Sequence, residues 1–121
     1  MLKKGRRILK NTDFIRIYRR GKKINGNILR LYIYSNNLNL TRFGYSISKK
    51  VGKAARRNLI KRRLREICRQ NLPSFKPGYD VVIVARQSAV SSKYSELENE
   101  VLKLSSLGNI LTKEESSDKR C

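Results

Sequence analysis

Apolar residues in this chain recur at two periods, and the places where one period gives way to the other mark its elements. Asn11-Thr12-Asp13 offers N-cap chemistry for a helix of two to three turns reaching Arg20, with Gly21 suited to its C-terminal end. Phe14, Ile17 and Tyr18 would share one face of it. From Ile28 to Tyr34 the residues alternate, Leu29, Leu31 and Ile33 on one side and Arg30, Tyr32 and Tyr34 on the other, which predicts a half-buried strand. Asn36 to Asn39 reads as a turn. Arg42 to Ser48 alternates again, with Phe43, Tyr45 and Ile47 opposed to Gly44, Ser46 and Ser48, so these two strands are expected to pair as a hairpin.

The period then returns to that of a helix from about Ala54 to Asn71. Ile60, Leu64, Ile67 and Asn71 fall in one narrow arc with Cys68 beside it, and Arg57, Asn58, Lys61, Arg62, Arg65 and Arg69 sweep the adjoining one. Pro73 and Pro77-Gly78 end it. Tyr79 to Ala85 is apolar apart from Asp80 and unbroken from Val81, as expected of a central strand covered on both faces. A last helix from about Ser92 to Leu104 would bury Leu97, Val101 and Leu104. Its Glu96, Glu98 and Glu100 most simply complement the positive end of the helix dipole, and Ser105 to Cys121 is expected to fray.

Charge divides the chain in two. Up to Arg65 there are 21 Lys and Arg against one acid, Asp13, whereas Glu66 to Cys121 carries eight of each sign. The segment from Lys49 to Arg65 holds nine cations and no carboxylate. Such a surface repels itself and gains stability when it displaces the counterions of a polyanion. At 121 residues the chain should form one domain, residues 1–107, followed by a flexible tail, 108–121. Leu2 to Arg7 is followed by no signal-peptide core and no apolar run is long enough for a bilayer, so a cytoplasmic protein without a membrane partner is expected. Cys68 and Cys121 lack the spacing of a zinc site or disulfide framework, and Cys68 reads as a small buried residue.

Interleaved aromatics narrow the polyanion. A sheet face bearing Arg30, Tyr32 and Tyr34 beside Phe14 and Tyr18 offers flat surfaces on which unpaired bases stack, which favours single-stranded RNA over a DNA major groove. Each of Phe14, Tyr18 and Tyr32, taken alone, fits the core equally well. The chain has no histidine, and its basic half has only Asp13 as a carboxylate, so nuclease chemistry would have to come from another molecule.

Gly44 to Ala54 followed by Arg57-Asn58-Leu59-Ile60-Lys61-Arg62 resembles the signature of the protein subunit of bacterial ribonuclease P. The resemblance extends to Asp13-Phe14 ahead of Tyr18 and Gly21, to Leu31-Tyr32, and to Asp80 to Arg86. It implies an α+β fold, a small two-layer sandwich on a mixed four-stranded sheet in the order αβββαβα, with the family's left-handed crossover. It also implies a subunit that binds a catalytic RNA and assists that RNA in removing the 5′ leader from precursor tRNA. Magnesium would then be held mainly by RNA phosphates, with no small-molecule substrate. Carried over by motif, Phe14, Tyr18 and Tyr32 would stack leader bases and Ser46 and Ser48 would line the floor of the cleft. Arg57, Asn58, Lys61, Arg62 and Arg65, preceded by Lys49, Lys50 and Lys53, would meet RNA. Leu59 departs from the family's usual Arg, and Arg56 or Arg63 would supply the charge. A noncatalytic RNA-binding protein of ribosomal type is the alternative.

Overall fold

The computed structural model describes residues 11–112, so the basic segment at 2–7, the end of the tail and Cys121 lie outside the described residues. Helix α1 spans Asn11–Arg20, strands β1, β2 and β3 span Lys22–Asn25, Leu29–Ser35 and Arg42–Ile47, helix α2 spans Ala54–Gln70, strand β4 spans Tyr79–Ala85, and helix α3 spans Tyr94–Leu107. The strands form one sheet in the order β1-β2-β4-β3. β1 and β4 both run antiparallel to β2, while β3 runs parallel to β4.

β2 and β3 are therefore not the expected hairpin. β4 separates them, because Val81 to Ala85 is apolar without a break and gains most where both of its faces are covered. Val81, Ile83 and Ala85 join Leu29, Leu31, Ile33 and Phe43 on the face that receives Ile60, Leu64, Ile67 and Cys68 of α2 and Leu97, Val101 and Leu104 of α3. On the opposite face Val82 packs against the fully buried Ile17 of α1, with Phe14, Tyr32, Tyr34 and Val84 around them.

Three local expectations are corrected. Asn11, Thr12 and Asp13 lie inside α1, and the Asp13 carboxylate pairs with Arg16 at 3.1 Å one turn on. The expected fraying from Ser105 does not hold through residue 112. α3 continues to Leu107, Ile110 is 1% exposed, and Leu111 bridges to Phe75, because an apolar pair beyond the helix end has a cleft to fill. Nor do the three glutamates of α3 act together. Glu96 accepts the Lys93 N–H at 2.7 Å, Glu98 accepts from Asn71 Nδ2 at 2.9 Å, and the buried Glu100 accepts the N–H groups of Ile28 and Leu29 at 3.0 and 3.4 Å. Glu100 thus fixes the β1–β2 turn, and it does so through Gly26, where a Cβ would overlap its carboxylate.

Candidate nucleic-acid interface

α1 carries its aromatics to the sheet because Ile17 anchors the helix on Val82. Phe14 lies one turn before that anchor and Tyr18 directly after it, their ring centroids 6.3 Å apart, and Tyr18 meets Tyr32 of β2 edge to face at 4.8 Å. Tyr18 keeps 38% of its surface exposed, so the cluster is a docked surface rather than sealed core. Strand register orders the rest of this face. Lys23, Tyr32, Val82 and Gly44 lie in one row across the sheet, and Asn25, Arg30, Val84 and Ser46 in the next. Arg30 is held by Asn25, whose Oδ1 accepts from Nε at 2.7 Å.

The cations gather at the β3 edge. Beyond Ile47 the chain forms a single tight turn, Lys49–Val51, in which the Ser48 hydroxyl accepts the Lys50 N–H at 3.2 Å and Val51 is buried. Lys49, Lys50 and Lys53 are left exposed. α2 begins at Lys53 with no side-chain cap and no acid in its first turn, so its free N–H groups and positive dipole end add to the surrounding charge. Tyr45, Ser46, Ile47, Arg57, Asn58 and Lys61 line one open recess of about 300 Å³. Asn58, Lys61, Arg62 and Arg65 line the next. Asn58 and Lys61 belong to both, so the basic surface is continuous from the sheet floor at Ser46 along α2 to Arg65.

Within that surface the side chains are not equivalent. Asn58, Lys61 and Arg62 are exposed, whereas Arg57 is half-buried and donates from Nε to the Gly52 carbonyl at 3.1 Å, bracing the turn. Arg65 is half-buried with a shielded Nε. Of the two residues considered as substitutes for the charge missing at Leu59, Arg63 is tied to the Ser92 carbonyl at 3.2 Å and Arg56 is exposed beside Gly52.

Acidic groups among the described residues are all engaged elsewhere. Asp80 is buried and receives both forks of Arg42, Nε to Oδ1 at 2.8 Å and Nη2 to Oδ2 at 2.7 Å, together with Asn36 Nδ2 at 2.8 Å. That hydrogen bond raises the Arg42 pKa above the usual arginine range, so this cation stays paired and is lost to any phosphate. Glu66 is held by Arg69, which keeps its carboxyl below the ordinary range. With Asp13, Glu96, Glu98 and Glu100 also committed at separate places, this donor set does not fit a magnesium site, and among the described residues no cluster of metal-ligating side chains occurs.

The structure thus brings Phe14, Tyr18 and Tyr32 together and joins Ser46 to Arg57, Asn58, Lys61, Arg62 and Arg65. Ser48 stands apart, exposed beyond the strand with its hydroxyl used in the turn. Sequence reasoning placed Arg30 on the aromatic face without naming it as a contact, and its signal was the β2 alternation. β1, with Lys23 and Asn25, leaves no periodic signal because Lys22–Asn25 has one inward apolar residue, Ile24, although the four-stranded order implied by the resemblance includes it. Among the described residues no helix is long and apolar enough to cross a membrane.

Comparison with known proteins places this geometry. The family model described as Ribonuclease P matches residues 2–107. The chain is 43% identical over 102 residues to the ribonuclease P protein component of Clostridium botulinum strain Loch Maree, covering 84% of this chain and 92% of that protein. Among solved structures it superposes on the RNase P protein of Staphylococcus aureus with a TM-score of 0.82 at 30% identity, over 88% of this chain and 98% of that one. The RNase P protein from Thermotoga maritima gives a TM-score of 0.76 at 28% identity, over 81% and 93%.

Proposed function

This chain belongs to the ribonuclease P protein family, as a protein component of that ribonucleoprotein, and we propose that its two surfaces divide the RNA between them. The continuous basic surface from Ser46 to Arg65, extended by Lys49, Lys50 and Lys53, binds phosphates of the catalytic RNA. The Phe14, Tyr18 and Tyr32 face holds the single-stranded 5′ leader of precursor tRNA by stacking. Ser46 stands between the two, on the sheet floor, and is the residue that makes them one groove.

In this reading the protein is the accessory subunit of an endoribonuclease and the RNA carries the hydrolysis. The supporting observation is the disposition of the carboxylates among the described residues, each engaged by a neighbouring donor and none of them facing the basic surface with a second one. Magnesium held by RNA phosphates, rather than by residues of this chain, would supply the activation of the attacking water. The protein's share is positional. It neutralises phosphate repulsion between RNA segments, which lowers the magnesium needed to bring them together, and it fixes the leader so that the scissile bond is presented in one register.

The observation that carries this reading is the sharing of Asn58 and Lys61 between the recess on the sheet and the recess along α2, which makes the basic surface continuous up to Ser46, a residue on the same sheet face as Tyr32 and one row away from it. The test is reconstitution with a ribonuclease P RNA. Adding the chain at moderate salt should raise leader cleavage at low magnesium by more than tenfold, and no change in magnesium requirement would refute the assignment.

A further inference from the structure

The groove has a direction. Its aromatic wall, formed by Tyr18 and Tyr32, lies on α1 and β2, and its cationic wall, formed by Arg57, Lys61 and the Lys49–Lys53 segment, lies past β3. A nucleotide laid across it therefore points its phosphate toward α2 and its base toward β2. Arg30 is a cation on the wrong side for a phosphate. It precedes Tyr32 by two residues on the same face of β2, in a row where it and Ser46 flank Val84, two inter-strand spacings or about 10 Å apart. Asn25 fixes its Nε on the β1 side, farthest from α2.

Resting on the leader-binding reading above, we propose that Arg30 makes this face selective for guanine at the leader position stacked on Tyr18 and Tyr32. With Nε committed to Asn25, the guanidinium retains four N–H donors on Nη1 and Nη2, a planar fork one row along the sheet face from Tyr32. Guanine offers that fork two acceptors on one edge, O6 and N7, whereas adenine places an amino donor where O6 would be. Lys23, opposite Tyr32 on the exposed edge strand, adds charge there but has no planar fork with which to discriminate. Asn25 is the positioning residue.

The experiment measures the affinity of the reconstituted holoenzyme for precursor tRNAs carrying each of the four bases at successive leader positions, against a leaderless tRNA. At one position guanine should bind on the order of tenfold tighter than adenine, and 7-deazaguanine should lose that gain. Arg30→Met and Arg30→Lys should abolish the preference while leaving the adenine leader within about twofold of wild type. Asn25→Ala should weaken the preference in part. Arg30→Lys retains the charge, and unaltered melting of all variants verifies folding. An unchanged base ranking in Arg30→Met, or a wild-type preference for a base other than guanine, overturns the role of Arg30 while the leader face stands. No gain of affinity from any leader in the wild type overturns both.

Discussion

Tyr18 of α1 and Tyr32 of β2 meet edge to face with ring centroids 4.8 Å apart, so the first helix and the sheet share one aromatic surface. Ile17 beneath them is fully buried against Val82, and this anchor lets Tyr18 remain partly open while its position is fixed. Stability and ligand contact are thereby separated on adjacent residues of one helix.

Tyr18→Ala should therefore act mainly on the leader. Loss of one stacked base contact is worth about 1–3 kcal/mol, so affinity for precursor tRNA should fall by roughly tenfold while leaderless tRNA is unaffected. Loss of the ring pair should cost about 1 kcal/mol of stability, read by denaturant titration. An equal loss for both RNAs would return Tyr18 to a structural role.

Lys61 and Arg62 are exposed cations in the middle of α2, whereas Arg57 also braces the turn at Gly52. Changing Lys61 and Arg62 together to Ala should lower the slope of log affinity against log salt by roughly one unit per lost phosphate contact, with the melting temperature unchanged. Arg57→Ala should lower both slope and melting temperature. A slope unchanged in the double variant would place the RNA elsewhere.

Glu100 holds the β1–β2 turn through two backbone N–H groups from the far end of the sequence. Glu100→Ala should destabilise the fold by about 2–3 kcal/mol, since it strands both donors in a buried place. Gly26→Ala should be costly for the same reason, because its Cβ would displace the carboxylate. The two acting through one contact, their combined cost in a double-mutant cycle should fall short of the sum.

Burial pushes the Cys68 thiol up to about 12, against an ordinary value of 9.0. The sign follows from which state ionises first. Above pH 9 the unfolded chain loses this proton and the folded chain keeps it, so stability present below pH 9 declines by up to about 1.4 kcal/mol per pH unit until the folded value is reached. The difference in unfolding free energy between wild type and Cys68→Ala should shrink between pH 8 and pH 10.5. A difference independent of pH would show that the thiol is not shielded.

Much of this was written in local pattern, and the exceptions have a common cause. Ile60, Leu64, Ile67 and Cys68 are buried as their spacing requires, and Val81 to Ala85 takes the centre of the sheet as its unbroken apolarity requires. Periodicity reports what a segment buries and is silent on its neighbour, so β2 and β3 looked like a hairpin although each pairs with β4. Lys22–Asn25 is a strand because β2 offers it a free edge, and Ile24 alone points inward. Glu96 lies in the first turn of α3 and Glu100 a turn further along, and their roles differ because Glu100 is the one that meets Gly26 and the β1–β2 turn. Periodicity put Arg57, Asn58, Lys61, Arg62 and Arg65 on α2, where the structure has them, while alternation carried the strand to Ser48, one residue past the point where β3 stops.

The central claim is that one groove holds the leader on Phe14, Tyr18 and Tyr32 while α2 holds the catalytic RNA. Photocrosslinking from a probe on each leader nucleotide, in the reconstituted ribonucleoprotein with precursor tRNA bound, tests it most directly. Crosslinks should fall on Phe14, Tyr18 and Tyr32 and on Ser46, and leave Arg62 and Arg65 to crosslinks from the catalytic RNA. Leader crosslinks concentrated on α2 or α3, with none on the three aromatics, would contradict the account and return those rings to the core.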